Sequence, residues 1–421
     1  MNKRATFHLS AAAALGMAVA TPAQAVDIKA GNWDLSLSGN VNAFATYTIC
    51  GVGNDEVTLS HACTKVDDAP NTFAIESGLL PSAFVFAAKT RAYDLDVSAT
   101  IGLYPGLHVA DTGSGVNKVG GTGNVAGEAG FNFSMDVRQN FFTFGDQSWG
   151  TIKLGKDLGL FGSDVILADM TLLGVGSGTA GNPLRNHNVT LGHIGTGYIY
   201  ADWILQIAYT SPSFSGAQFS IALMEAFGMG YEGFGVETNA TPTPGVQAEV
   251  TYDFADSLGR VWAGGMYQNT QVSEPPFASL DTYAGELGVK INVLGGLGAL
   301  AYGYYGKGIG TTQIGLAATG PTLDGETIEG RTSYGWFAQL TYQIPDTKLR
   351  PGVSWGMSYL DQADDDLDTL VHWNAMGTVA LFYALTDALT LTAEFDHQRS
   401  KSWEEGEATS NSVALGGIIF F

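Results

Sequence analysis

The chain has 421 residues, of which 14% are charged, and its 19 basic and 41 acidic residues give a formal net charge of −22. This charged fraction lies well below the roughly 25% of soluble domains, which argues against a cytosolic enzyme. The acidic balance leaves no basic surface for neutralising phosphates, and it therefore argues against a nucleic-acid-binding protein.

The N-terminus has the parts of a secretory signal peptide. Two basic residues precede an apolar stretch from Leu9 to Ala20, and an A-x-A cleavage pattern ends at Ala25. We predict that residues 1–25 are removed and that residues 26–421 form a single domain outside the cytoplasm. No uncharged apolar run of about 18 residues follows, so the sequence does not favour membrane-spanning helices.

Apolar and polar residues alternate along much of the mature chain, as expected for strands with one apolar and one polar face. In residues 33–48 the odd positions are apolar or glycine, and Phe44 alone breaks the polar pattern of the even positions. We predict sixteen such strands, at residues 33–48, 80–90, 95–104, 131–144, 150–156, 199–211, 217–226, 246–254, 260–269, 282–292, 297–306, 332–344, 349–360, 371–385, 388–399 and 411–421.

Short and long connections alternate between these strands, which places short turns at one end of the sheet and long loops at the other. This pattern predicts an all-β fold, a 16-stranded antiparallel up-and-down transmembrane β-barrel. A soluble all-β protein is the alternative, because alternation does not say whether the apolar face contacts lipid or a core. Aromatic residues at many strand ends would suit two membrane-interface girdles, and they favour the barrel.

Three motifs carry a family resemblance. Arg138-Gln139-Asn140-Phe141 precedes Gly150-Thr151-Ile152-Lys153-Leu154-Gly155-Lys156, Tyr209 to Gly216 follows the pattern Y-x-S-P-x-F-x-G, and the chain ends in alternating apolar residues at Phe421. With these motifs the chain resembles Gram-negative general trimeric porins of the neisserial and burkholderial type. The resemblance implies an outer-membrane homotrimer with water-filled pores for small hydrophilic solutes and ions, and no enzymatic activity or cofactor. It also implies a third loop folded into the barrel and an assembly signal at Phe421, read by the barrel assembly machinery.

The resemblance further implies acidic groups on the third loop, here within residues 157–198, facing basic groups on the wall. The charged candidates of the constriction loop are Asp157, Asp164, Asp169 and Arg185. Strand parity gives the basic wall candidates Lys89, Arg91, Arg138, Lys153 and Lys290. Opposed charges at the narrowest level would set selectivity. The alternative for each residue is an ordinary salt bridge in the lumen, away from the constriction.

Acidic residues are frequent in the predicted outer loops, and we expect a weak preference for cations because a negative mouth raises their local concentration. Within one loop, carboxylates that could bind Ca²⁺ through oxygen ligands are Asp364, Asp365, Asp366 and Asp368. A solvated loop, or loose divalent bridging to lipopolysaccharide, is the alternative for this run.

Several smaller features leave alternatives open. Cys50 and Cys63 predict one disulfide in an oxidising compartment, or else two free thiols. Glycines in residues 174–181 predict a flexible loop. Ser354 fits G-x-S-x-G but lies mid-strand, so a hydrolase is a weak alternative, as is an adhesin. A substrate-specific porin for a sugar or aromatic solute would use rings on nominally lumen-facing positions, namely Phe44, Phe142, Phe144 and Trp262.

Overall fold

A computed structural model describes residues 25–51, 57–63, 71–105, 135–177, 189–228, 241–271, 278–293, 295–312, 321–324, 327–363 and 366–421. The strands in chain order are β1 (Val26–Ala30), β2 (Trp33–Cys50), β3 (Thr72–Glu76), β4 (Ala83–Ala92), β5 (Leu95–Pro105), β6 (Met135–Asp146), β7 (Gly150–Leu158), β8 (Trp203–Thr210), β9 (Ala217–Met224), β10 (Gly245–Asp253), β11 (Gly259–Gln271), β12 (Ser279–Val293), β13 (Leu297–Lys307), β14 (Pro321–Asp324), β15 (Thr327–Gly330), β16 (Thr332–Tyr342), β17 (Leu349–Leu360), β18 (Val371–Ala384), β19 (Leu389–Ser402) and β20 (Glu407–Phe420). A short helix α1 (Ser163–Ala168) and two 3₁₀ turns, Met170–Leu173 and Ala255–Ser257, complete the described elements.

The sheet closes on itself because β2 pairs with β20 on one edge and with β4 on the other. The wall contains sixteen antiparallel strands, β2, β4 to β13 and β16 to β20. Each overlaps one of the sixteen predicted segments, so the predicted fold class is confirmed. The short strands β1 and β3 are additions that the sequence did not predict, and both pair with β2.

Exposed and buried residues alternate along the wall strands, and many of the exposed ones are apolar, which is the reverse of a soluble protein. On β12, Tyr283 and Leu287 are exposed to 47% and 61%, whereas Thr282 and Glu286, which each precede one of them, are buried. Apolar residues thus form the outer face of the barrel and polar residues the inner face, as expected where the outside contacts lipid. This arrangement excludes the soluble all-β alternative, whose apolar faces would lie in a core.

Both β3 and β4 pair with the same edge of β2, and between these two strands the chain turns inward. We call residues 77–82 the inward segment; all six are buried. Asn42 holds it by donating from Nδ2 to the Leu80 carbonyl at 2.7 Å and accepting from the Gly78 N–H at 2.9 Å, and Asn40 donates to the Pro81 carbonyl at 3.0 Å. The predicted strand at 80–90 therefore starts later, at Ala83.

Cys50 and Cys63 form a disulfide with a Cα–Cα distance of 5.2 Å, so this prediction is confirmed. The bond ties the end of β2 to a segment whose apolar residues pack above β17 and β18, including Val57, Leu59 and Ala62. No helix among the described residues has the length and apolar character needed to cross a membrane.

Candidate pore constriction

The loop between β7 and β8, residues 159–202, contacts inward-facing side chains of distant wall strands; we call it L3. Gln339 of β16 accepts from the Met170 N–H at 2.6 Å, and Gln247 of β10 accepts from the Leu160 N–H at 2.7 Å. Because these acceptors lie on the inner face, the described residues of L3 occupy the barrel interior. Residues 178–188, including the candidate Arg185, lie outside the described part of the chain.

Two wall carboxylates anchor the L3 backbone. Both oxygens of Glu286 accept from the Gly162 N–H at 3.0 Å, while Glu394 accepts from Val175 N at 3.0 Å and Gly176 N at 2.6 Å. Hydrogen bonds from a backbone N–H to a carboxylate are stronger than those between neutral groups.

Glycine permits the close approach at the second anchor. A Cβ on Gly174 would lie 2.0 Å from Glu394 Oε2, so any larger residue would displace the carboxylate. The expectation that the glycines around 174 form a flexible loop is therefore wrong for Gly174 and Gly176.

Asp169 stabilises L3 from within. It is 1% exposed, accepts from the Thr171 N–H at 2.9 Å and accepts from the Tyr198 hydroxyl at 2.6 Å. His193 lies beside it, and burial lowers the pKa of this imidazole. The carboxylate of Asp169 is therefore a structural group of the loop and does not face open water.

Asp164 is the L3 acid that opposes wall bases. Its carboxylate lies 3.0 Å from Arg260 Nη1, and Arg260 also pairs with Asp253 at 2.6 Å. Lys290 interacts electrostatically with Asp164, Arg260 and Arg350. Asp164 and Lys290 are the two predicted residues that this cluster brings together, and their role at a constriction stays a prediction.

Arg260 and Arg350 are members of this cluster that sequence reasoning missed. Arg260 lies directly across from Lys290 in the register of β11 and β12. Arg260 could have been predicted, because it is a basic residue at a lumen-facing position of the strand next to that of Lys290.

The remaining predicted charges lie apart from this cluster. Asp157 is in β7 rather than in the loop, is 2% exposed, and pairs with Lys153 of the same strand. Arg91 pairs with Asp96 and Asp146 at the end of the barrel with short turns, and Lys89 is exposed on β4 near that end. The structure thus assigns Asp157, Lys153 and Arg91 to ordinary salt bridges.

Arg138 lies on the inner face because of a β-bulge. Gly102 pairs with Gln139 and Leu103 with Val137, so residue 138 is the extra one. After the bulge Phe141 and Thr143 face inward, while Phe142 is 47% exposed on the outer face and Phe144 shares that face. The suggestion that Phe142 and Phe144 line the lumen is therefore wrong.

Comparison with known proteins decides the family. A family model described as Gram-negative porin matches residues 11–402. The chain belongs to the Gram-negative porin family. No curated protein matches the sequence significantly.

Solved structures share the porin's fold. The outer membrane channel DcaP of Acinetobacter baumannii is 16% identical, with 94% of this chain and 99% of that chain covered and a TM-score of 0.68. An anion-selective porin from Comamonas acidovorans (12% identity, 92% and 100% covered, TM-score 0.57) and OmpF of Salmonella typhi in complex with daunomycin (14%, 94% and 100%, 0.55) are also similar. At these identities the likeness shows the fold alone.

Family membership makes this porin a non-enzymatic outer-membrane channel, as the sequence predicts. Ser354 Oγ does lie 2.8 Å from His193 Nε2, but both residues are buried where L3 contacts β17. Within the described residues His193 Nδ1 has no hydrogen-bond partner, so no carboxylate orients this imidazole as a general base. The pair fixes L3 to β17.

The two remaining aromatic candidates are covered in the porin. Phe44 packs against Val175 of L3, and Trp262 belongs to the apolar cluster beneath the loop; each is 1% exposed. Neither ring offers a surface along which a solute could slide.

The acidic run at the porin's predicted mouth is only partly described, since Asp364 and Asp365 lie outside the described residues. Asp366 pairs with Arg331, and both side chains are 5% exposed, while Asp368 accepts from Gln362 at 3.0 Å. No group of three or more His, Cys, Asp or Glu in the described part of the chain is arranged to hold a metal ion. Calcium binding by this run stays a prediction.

His61 is expected to make the packing of the porin's disulfide-bonded loop sensitive to acid. It is 2% exposed, its Nε2 lies 3.2 Å from Thr312 Oγ1, and burial lowers its pKa from 6.5 to about 4. His61 binds a proton more readily when the loop is released than when it is packed. The packed loop is therefore fully stabilised above pH 6.5 and loses roughly 3 kcal/mol of stability in all as the pH falls towards 4.

We expect hydrogen exchange of residues 57–63, corrected for the intrinsic pH dependence, to accelerate between pH 6.5 and 4. The His61→Gln variant keeps a polar side chain without this titration and should lose the acceleration. Equal pH dependence in both proteins would contradict the assignment to His61.

Proposed function

We propose that this porin conducts small hydrophilic solutes and ions by passive diffusion, past a constriction between L3 and the barrel wall. The contact of Asp164 with Arg260, beside Lys290, is the observation that carries the proposal. Charges of opposite sign on the loop and the wall create a field across the passage, and this field favours polar over apolar solutes because apolar solutes must displace ordered water.

We also propose a weak preference for cations, which rests on the acidic outer loops. Glu404 and Glu405 are exposed beside Asp368, and a negative mouth concentrates cations within about one Debye length. A porin with the same fold is anion-selective, so the acidic loops, and not the fold, support this sign.

Reversal potentials in a KCl gradient test this preference. We expect a small potential of the sign for cation selectivity, which decreases at high salt and in the variant with both Glu404→Gln and Glu405→Gln. Asp387→Asn, in the short turn after β18, is the matched control and should leave the potential unchanged. Strong anion selectivity of the unaltered porin would contradict the proposal.

Assembly as a homotrimer is part of the same proposal. A trimer form is known for OmpT of Vibrio cholerae, which shares the fold at 11% identity and a TM-score of 0.51. Phe421 and Gly39 exchange backbone hydrogen bonds of 2.8 and 3.0 Å where the barrel closes, and recognition of Phe421 during assembly is also part of the proposal. Contacts with the assembly machinery and with lipopolysaccharide stay predictions.

A further inference from the structure

A cavity of about 210 Å³ lies between L3 and the inward segment. Leu80 and Pro81 line it on one side, and Ile166, Leu167 and Leu172 line it on the other. An apolar cavity of about 150 Å³ binds benzene, so this volume admits one aromatic ring.

One end of the cavity is polar. Arg138 donates from Nε to Asp136 Oδ2 at 2.9 Å, and its guanidinium carbon lies 5.5 Å from the centre of the Tyr104 ring. Among the described residues, the two Nη atoms of Arg138 have no hydrogen-bond partner. The guanidinium therefore has donors left for a ligand.

The acids at this end are already engaged. Asp136 lies between Arg138 and Lys156, whose Nζ is 4.0 Å away, and Asp202 accepts from the Trp203 N–H at 2.6 Å. Two bases thus balance two acids. The groups that remain available for hydrogen bonding are the Nη donors of Arg138, which suit a ligand with acceptor oxygens.

We propose that this cavity binds solutes that combine one aromatic ring, or an apolar group of similar size, with a carboxylate. The ring lies between the inward segment and L3, and the carboxylate accepts two parallel hydrogen bonds from Arg138. A mostly apolar pocket with a few polar groups that fix orientation is the usual form of a small-molecule site. The inference rests on the proposed function, because solutes reach the cavity through the pore.

Single-channel recording in 1 M KCl tests this site, since high salt screens the acidic mouth. Benzoate should reduce the current in a saturable manner. Acetate, which lacks the ring, and benzylammonium, which has the opposite charge, should have no saturable effect at the same concentrations. A conducting channel that benzoate does not block overturns the site alone, whereas a folded protein without conductance overturns the proposed function.

Two variants locate the block. Arg138→Gln should raise the half-blocking benzoate concentration at least about tenfold, because it removes charge-assisted hydrogen bonds, and Arg138→Lys should restore only part of the affinity. Leu167→Trp fills the cavity from a half-buried position of L3 and should abolish the block without altering Arg138. Block that survives in conducting channels of both Arg138→Gln and Leu167→Trp places benzoate elsewhere and contradicts the proposal.

Discussion

Replacing Glu286 and Glu394 together by alanine is expected to increase the single-channel conductance severalfold. The double variant leaves the N–H groups of Gly162, Val175 and Gly176 without their acceptors. Each unsatisfied buried group costs about 1–3 kcal/mol, which is enough to release L3 from the wall. Conductance rises because the loop then no longer narrows the lumen. Planar-bilayer recording at fixed salt measures the effect.

The matched control for this variant is the double replacement Glu286→Gln and Glu394→Gln. Glutamine keeps a carbonyl oxygen at each position, so the loop should stay anchored and conductance should remain close to that of the unaltered porin. An unchanged conductance in a folded alanine variant would show that these carboxylates do not hold L3 in the passage.

Replacing Val379 by arginine is expected to cost about 2–4 kcal/mol of the free energy of unfolding, the depth-dependent penalty for a basic residue facing lipid at mid-membrane. Val379 lies mid-strand on β18, is 56% exposed, and has outward-facing Val353 and Phe395 as its neighbours across the sheet. Denaturant titration of the porin in lipid vesicles, followed by tryptophan fluorescence, measures the loss.

Tyr383→Arg serves as the control, because Tyr383 is on the same face of β18 but near the strand end. The penalty for arginine falls to about 0–1 kcal/mol close to the membrane interface, so this variant should lose much less stability. Equal losses at Val379 and Tyr383 would show that the outer face does not experience a gradient from hydrocarbon to interface.

The strands could be predicted from sequence because every wall strand meets lipid on one face and the lumen on the other. This constraint gives the wall strands a period of two, which the β-bulge in β6 interrupts. The inward segment escaped prediction because Leu79 and Leu80 have the same apolar character as lipid-facing residues. Their burial depends on the side chains of Asn40 and Asn42, on the neighbouring strand.

The charged site was only partly predictable, and the β-bulge in β6 explains why Arg138 lies on a different face from Phe142 and Phe144. Parity places Arg138, Phe142 and Phe144 on one face, but the bulge keeps Arg138 inside and moves both rings outside. Parity also marks Glu286 and Glu394 as inward-facing. It does not reveal that their partners are backbone N–H groups of L3, because no side-chain pattern encodes such contacts.

Single-channel recording of the folded porin in planar bilayers tests whether a polar lumen is open past L3. We expect stepwise, ohmic conductance, with three closing levels if the homotrimer forms. Protein that inserts and shows the heat-sensitive electrophoretic mobility of a folded barrel, yet passes no ions at any voltage, would contradict a polar lumen open past L3.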